Sequence, residues 1–167
     1  MKKNYSLWLM TEEDISDQVS DLIKQLAKDY SGPVFEPHIT LLPDIVLSEE
    51  EIIEKTSKLV SNKSPFLVEV ENIDYQDTYF RNLFIKLKLN DELLNLHNEA
   101  NQIFEIDNDQ VYMPHISILY GNHSKETKEE IIKKISLKLN QKFLVKSIVI
   151  TTSGEVSNWK KIKEFKL

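Results

Sequence analysis

Phe35-Glu36-Pro37-His38-Ile39-Thr40-Leu41-Leu42 is echoed by Tyr112-Met113-Pro114-His115-Ile116-Ser117-Ile118-Leu119. Aligned, both stretches read aromatic, any residue, Pro, His, Ile, hydroxyl, aliphatic, Leu. The histidines stand 77 residues apart, close to half of a 167-residue chain. Two related lobes meeting along a cleft explain that spacing. Strand side chains alternate between faces. His38 and Thr40 therefore share one face, while Ile39 and Leu41 turn to the other. His115 and Ser117 repeat the arrangement. If the two strands lie side by side about a pseudo-twofold axis, two imidazoles and two hydroxyls converge on one cavity.

Around this repeat the chain alternates strands with amphipathic helices. Tyr5 to Met10 reads as a strand. Thr11 reads as an N-cap with Asp14 three residues on, opening a helix over Glu12 to Tyr30 whose inner face is Ile15, Val19, Leu22, Ile23 and Leu26. Gly32-Pro33 ends it. Pro37 to Leu42 is a short strand, and Ser48 with Glu51 forms a capping box before a helix that buries Ile52, Ile53, Thr56, Leu59 and Val60. Phe66 to Ile73 and Tyr79 to Leu89 read as strands. Asn90 or Asp91 opens a third helix with Leu93, Leu94, His97, Ala100, Ile103 and Phe104 on one side. Met113 to Tyr120 is a strand stopped by Gly121. Ser124 or Thr127 opens a fourth helix with Ile131, Ile132, Ile135 and Leu139 inward. Phe143 to Thr152 and Trp159 to Leu167 close the chain around a turn at Gly154. The order predicts an α+β fold: two pseudo-symmetric lobes of mostly antiparallel sheet, helices on the outer faces, and a cleft between them. Residues 1–167 are expected to form one domain, since no linker or low-complexity run divides them.

Composition narrows the chemistry. Apolar residues make up 41% and charged residues 29%, enough for a core under a soluble surface. The net charge of −6 is poorly suited to long-range attraction of a nucleic-acid polymer. It still permits a local pocket for a small phosphorylated ligand. With no cysteine there are no disulfides, thiolate metal sites or cysteine nucleophiles. Neither a His-x-His nor a His-Glu-x-x-His pattern occurs, so no metal is expected and Glu36 beside His38 does not suggest one. Three glycines cannot build a phosphate-binding glycine loop. The N-terminal apolar run meets Glu12, Glu13 and Asp14 too early for a signal peptide, and no stretch approaches the ~20 apolar residues of a membrane span. A cytoplasmic protein with no membrane association is expected.

Imidazoles exchange protons near neutral pH, and hydroxyls donate hydrogen bonds to non-bridging phosphate oxygens. His38 and His115 are therefore the candidate catalytic pair, with Thr40 and Ser117 as candidate phosphate ligands. A free imidazole titrates near ~6.5, which predicts a bell-shaped pH dependence with both limbs within about two units of neutrality. His97, on the apolar side of a helix, is read as a packing residue. His123 is read as a solvent-exposed loop residue, and Lys160, Lys161 and Lys163 as a solvated basic strand surface.

The paired His-x-Thr/Ser motifs resemble those of the two-histidine (2H) phosphoesterase superfamily, and within it the cyclic phosphodiesterases that act on ADP-ribose 1″,2″-cyclic phosphate and 2′,3′-cyclic nucleotides. Tyr5-Ser6-Leu7-Trp8, Phe35-Glu36-Pro37-His38, Tyr79-Phe80-Arg81 and Tyr112 to Gly121 carry the narrower likeness, in order along nearly the whole chain. The resemblance implies His38 and His115 as catalytic, Thr40 and Ser117 on the phosphate, and Trp8, Phe80 and Tyr120 lining the pocket. Tyr120 is five residues from His115, so strict alternation would turn it to the other face. The resemblance also implies no cofactor, a small cyclic-phosphate nucleotide as substrate, and His38 as acid with His115 as base, leaving the phosphate on the 2′ oxygen. The near-symmetry of the motifs leaves the acid and base roles interchangeable. A role in RNA processing through 2′-5′ ligase or trimming activity on RNA ends is one alternative, and a non-catalytic nucleotide-binding module another. The expected state is a monomer.

Overall fold

The structure, a computed structural model, describes residues 1–107, 110–136 and 141–167. Its strands are β1 (Lys3–Thr11), β2 (Ile39–Leu47), β3 (Phe66–Asp74), β4 (Leu83–Leu87), β5 (His115–Leu119), β6 (Lys142–Thr152) and β7 (Lys161–Lys166). The helices among the described residues are α1 (Glu13–Tyr30), α2 (Glu49–Val60), α3 (Asp91–Phe104) and α4 (Lys125–Lys134). None is long and apolar enough to cross a membrane. Leu139, expected on the inner face of the fourth helix, lies outside the described residues.

All strand pairings are antiparallel, in the order β1-β2-β5-β4-β3-β6-β7, and β6 also pairs with β1. Exchanging β1 with β4, β2 with β5 and β3 with β6 maps the first six strands onto themselves, which is the pseudo-twofold symmetry implied by the repeated motif. One lobe holds β2, β1, β6 and β7, and the other β5, β4 and β3. The lobes are joined at two seams: β2 beside β5, with Ile39 opposite Ile116, and β3 beside β6, with Phe66 to Glu69 opposite Val145 to Lys142. Helix α1 packs on β5 and α3 on β2, so each crossover helix covers the other lobe's motif strand. The core is continuous through Leu7, Leu9, Ile39, Leu41, Ile85, Ile116, Ile118 and Ile148, all nearly inaccessible.

Several local expectations are corrected by tertiary demands. Thr11 is not an N-cap: it ends β1 opposite Val145, and Glu12 takes the cap position without a side-chain cap bond. The Glu12 carboxylate instead accepts the Leu144 amide at 2.9 Å, extending the sheet contact. Ser48 and Glu51 do close the capping box before α2. Strand β2 runs past Leu42 through a bulge in which Pro43 and Asp44, the latter at φ 53°, stand opposite Ser6. A bulge tolerates the proline because that residue's missing N–H is not required by the ladder. On α3 the inner face is Leu93, Leu96, His97, Ala100 and Phe104, whereas Leu94 is exposed.

Tyr79 to Arg81 forms a 3₁₀ turn, not the start of a strand, and β4 begins only at Leu83. The turn's carbonyls are bonded elsewhere: Tyr79 accepts the Gly121 amide at 3.1 Å, Phe80 accepts the Ser117 hydroxyl at 3.0 Å, and Arg81 accepts the Gln76 amide at 2.8 Å. His123 is half-buried, not solvent-exposed. Its backbone amide donates to Asn82 Oδ1, which orients that side chain so that Nδ2 donates to His123 Nδ1 at 2.8 Å. His123 Nε2 then donates to the Tyr30 carbonyl at 2.9 Å, so the imidazole joins the 3₁₀ turn to the end of α1.

Gly121 is required beside this clamp. Its φ is +145°, and a Cβ there would stand 2.6 Å from His123 Cε1. Gly121→Ala is expected to destabilise the protein by ~2 kcal/mol or more, combining backbone strain with overpacking. Urea unfolding at unchanged m-value measures the loss. A change below ~0.5 kcal/mol would show that the imidazole moves aside freely.

Candidate active site

The cleft between the lobes has a volume of about 840 Å³, and His38, Thr40, His115 and Ser117 all line it. Adjacent antiparallel strands bring the two motifs together. Each motif is also tied to the other lobe by the aromatic that precedes its histidine. Phe35 stacks on Tyr120 with ring centroids 3.9 Å apart, and the Tyr112 hydroxyl donates to the Thr40 carbonyl at 3.0 Å. A register slip would break both ties and turn the histidines away.

The two imidazoles are held alike. Nδ1 of His38 bonds to the Glu36 carbonyl at 2.7 Å, and Nδ1 of His115 to the Met113 carbonyl at 2.9 Å. A carbonyl can only accept, so each Nδ1 carries a hydrogen and each Nε2 is the nitrogen left for chemistry. Each ring also packs on an aromatic of the neighbouring strand, stacked for His38 and tilted by 59° for His115. Trp8 on β1 lies opposite Thr40 and stacks on His38 at 3.7 Å and 10°. Phe84 on β4 lies opposite Ser117, its ring 5.0 Å from that of His115. Burial lowers the His38 pKa to about 4, opposed by the Glu36 carbonyl and assisted by the charge of His115. Burial also lowers His115, with the Met113 carbonyl opposing and the Arg81 charge assisting. Burial thus biases both imidazoles toward the neutral form.

Ser117 is buried and its Oγ donates to the Phe80 carbonyl, which leaves the oxygen lone pairs for a neighbour. Burial raises the Tyr120 phenol, and a hydrogen bond with Ser117 works against that rise. Trp8, Phe80 and Tyr120 all line the cleft. Tyr120 reaches it because β5 ends at Leu119, so alternation no longer governs its direction.

Sequence reasoning missed Trp159, Tyr79, Arg81, Ser6, Asp44 and Glu155, which also line the cleft. Trp159 stands edge-on to Trp8 at 5.1 Å and to His38 at 5.8 Å, and its Nε1 donates to the Gly154 carbonyl at 3.0 Å. No periodicity marks it, since it follows a turn. Phe84 reads as an ordinary core aromatic until the register shows it beneath His115. His97 stays outside the cleft, stacked on Tyr112 at 4.0 Å. Lys161 lies on the exposed strand surface, as expected, and pairs there with Glu36 at 2.6 Å. Among the described residues no group of three His, Asp or Glu side chains is placed to hold a metal ion.

A two-lobed antiparallel frame that sets two His-x-Thr/Ser strands edge to edge is that of the two-histidine phosphoesterases. Residues 1–167 match the family model for cyclic phosphodiesterase-like proteins. The chain belongs to that family and is a phosphoesterase of the hydrolase type. A cyclic phosphodiesterase of Arabidopsis thaliana is 23% identical over 133 residues, covering 80% of this chain and 74% of that protein. Among solved structures, E. coli LigT complexed with 3′-AMP superposes with a TM-score of 0.69 at 13% identity, covering 100% of this chain and 99% of LigT. LigT complexed with NADP+ gives a TM-score of 0.68 at 14% identity, with 100% and 99% covered.

Proposed function

We propose that the protein opens a five-membered cyclic phosphodiester on a small nucleotide-like substrate, a 2′,3′-cyclic nucleotide or ADP-ribose 1″,2″-cyclic phosphate, by paired-histidine acid–base catalysis without a metal ion. The observation that carries the reading is the matched pair of cleft imidazoles, each with Nδ1 tied to the carbonyl two residues before it. One Nε2, neutral, takes a proton from the attacking water. The other, protonated, gives one to the departing ribose oxygen. Thr40 and Ser117 hold the non-bridging oxygens as charge builds on five-coordinate phosphorus, Ser117 by turning its one hydroxyl hydrogen from the Phe80 carbonyl to the phosphate. Trp8, Phe80 and Tyr120 pack against the nucleoside.

Following the resemblance, His38 is the acid and His115 the base, and the phosphate remains on the 2′ oxygen; burial weighs more on His38, so these roles need the bound phosphate to draw the proton onto it. Burial opposes the proton that the acid must carry, and the negative charge of the bound phosphate restores it. The acidic chain, with Asp44 and Glu155 in the cleft wall, supports a small substrate over polymeric RNA. Complexes of LigT with 3′-AMP and NADP+ support a nucleotide ligand in this frame.

Turnover of adenosine 2′,3′-cyclic phosphate in excess EDTA tests the reading, with the product read by phosphorus NMR. Activity should persist, and the only phosphorus product should be the 2′-monophosphate. Loss of activity with chelator and its return with a divalent ion would mean that the mechanism uses a metal.

A further inference from the structure

Charge in the cleft wall is unevenly placed. Among the described lining residues Arg81 is the one cation, and Asp44 and Glu155 are the carboxylates. Arg81 follows Phe80 in the 3₁₀ turn, and the turn's backbone is held by Gln76, Gly121 and Ser117 and, through buried Asn82, by His123. The Arg81 side chain, by contrast, is exposed, and makes no ion pair among the described residues. Its polar contact is a long hydrogen bond from Nη1 to Gln76 Oε1, at 3.5 Å. A fixed backbone thus presents an unneutralised guanidinium at the cleft. Its charge reaches the motif, since it helps to lower His115.

Space in the cleft exceeds what the cyclic ester needs. About 840 Å³ lies in the upper part of the ~300–1,000 Å³ range of small-molecule sites. The chain as a whole carries −6, so a multiply charged substrate needs a local cation to settle. A guanidinium fork suits a phosphate, which it can hold through two parallel bonds. Asp44 and Glu155, in the same wall, repel such a group.

Resting on the cyclic-nucleotide reading above, we propose that Arg81 receives a second phosphate of the substrate, one that is not cleaved, and so selects nucleotides that carry one besides the cyclic ester.

The test compares kcat/KM for adenosine 2′,3′-cyclic phosphate with that for its 5′-phosphorylated form, at low ionic strength. The native enzyme should prefer the 5′-phosphate by about tenfold or more, as a charge-assisted contact allows. Added salt should shrink the preference. In Arg81→Gln the ratio should fall to about one, and Arg81→Lys, keeping charge without the fork, should fall between. A native ratio near one overturns the proposal, as does a ratio that survives in Arg81→Gln. If neither compound is turned over, the 2′,3′-cyclic nucleotide reading fails, and calorimetry still decides the role of Arg81. Adenosine 2′,5′-bisphosphate should then bind about tenfold tighter than adenosine 2′-monophosphate, with the gap lost in Arg81→Gln. Equal native affinities would sink the idea.

Discussion

Replacing His38 or His115 with alanine should lower kcat on a 2′,3′-cyclic nucleotide by ~10²–10⁴, the usual worth of a general acid or base. KM should change far less, because neither ring is the main source of nucleoside contact. Thr40→Ala and Ser117→Ala should cost about 10–10³-fold in kcat, as lost transition-state donors do. In the free enzyme the Ser117 hydroxyl holds the Phe80 carbonyl of the 3₁₀ turn, a bond it exchanges for one to the phosphate. Ser117→Ala should therefore raise KM as well, while Thr40→Ala should not. His97→Ala serves as the control. That ring is buried against Tyr112 and outside the cleft, so its loss should reduce stability and leave turnover per folded molecule nearly intact. Circular dichroism and urea midpoints separate folding from chemistry across the series. An active His38 variant beside a folded, inactive His97 variant would overturn the site.

A second large effect is expected from pH. The active form has one imidazole protonated and the other neutral, so activity falls on both sides of a window set by the pair. Symmetry of the motifs suggests a window centred near neutrality, but burial moves it. His38 is lowered to about 4 and His115 lies below the ordinary 6.5. In kcat/KM, which reports the free enzyme, the optimum should fall between about 4 and 6.5. Below the window both rings are charged, and above it both are neutral. Each limb costs about tenfold per pH unit, so kcat/KM should fall steadily above the ordinary imidazole range and lie well below its maximum at pH 8. In kcat the window should move to higher pH, because the bound phosphate favours imidazolium. The apparent values belong to the coupled pair. Glutamine at either position removes one limb, and the limb that goes with His115→Gln names its role: the acidic limb for a base, the basic limb for an acid. A kcat flat from about pH 5 to 9, with chemistry rate-limiting, would end the paired-histidine mechanism. A kcat/KM optimum above pH 7.5 would show that burial does not govern these rings.

Much of the site was legible because a repeated local pattern encodes it. Pro-His-Ile-Thr and Pro-His-Ile-Ser each put an imidazole and a hydroxyl on one strand face, and two copies imply a shared cavity. The helices were legible from their periodicity, and α2 also from its capping box. Expectations failed where a local signal met a tertiary competitor. Thr11 had the chemistry of a cap, yet its backbone was taken by the sheet. Tyr79 to Arg81 had strand propensity, yet three carbonyls found partners at Gly121, Ser117 and Gln76, which curled the segment into a turn.

The sequence by itself determined the pairing of two His-x-hydroxyl strands, the α+β order around them and the absence of thiolate chemistry. These follow from residue type, from periodicity within single elements and from the 77-residue repeat of the motif. Tertiary structure alone decided which side chains complete the cleft. Trp159 and Arg81 come to it through turns, Tyr120 through the end of a strand, and Asp44 through a bulge, where no periodicity fixes direction. It also decided the proton affinities of His38 and His115, because burial depends on how chain segments far apart in sequence close over a ring.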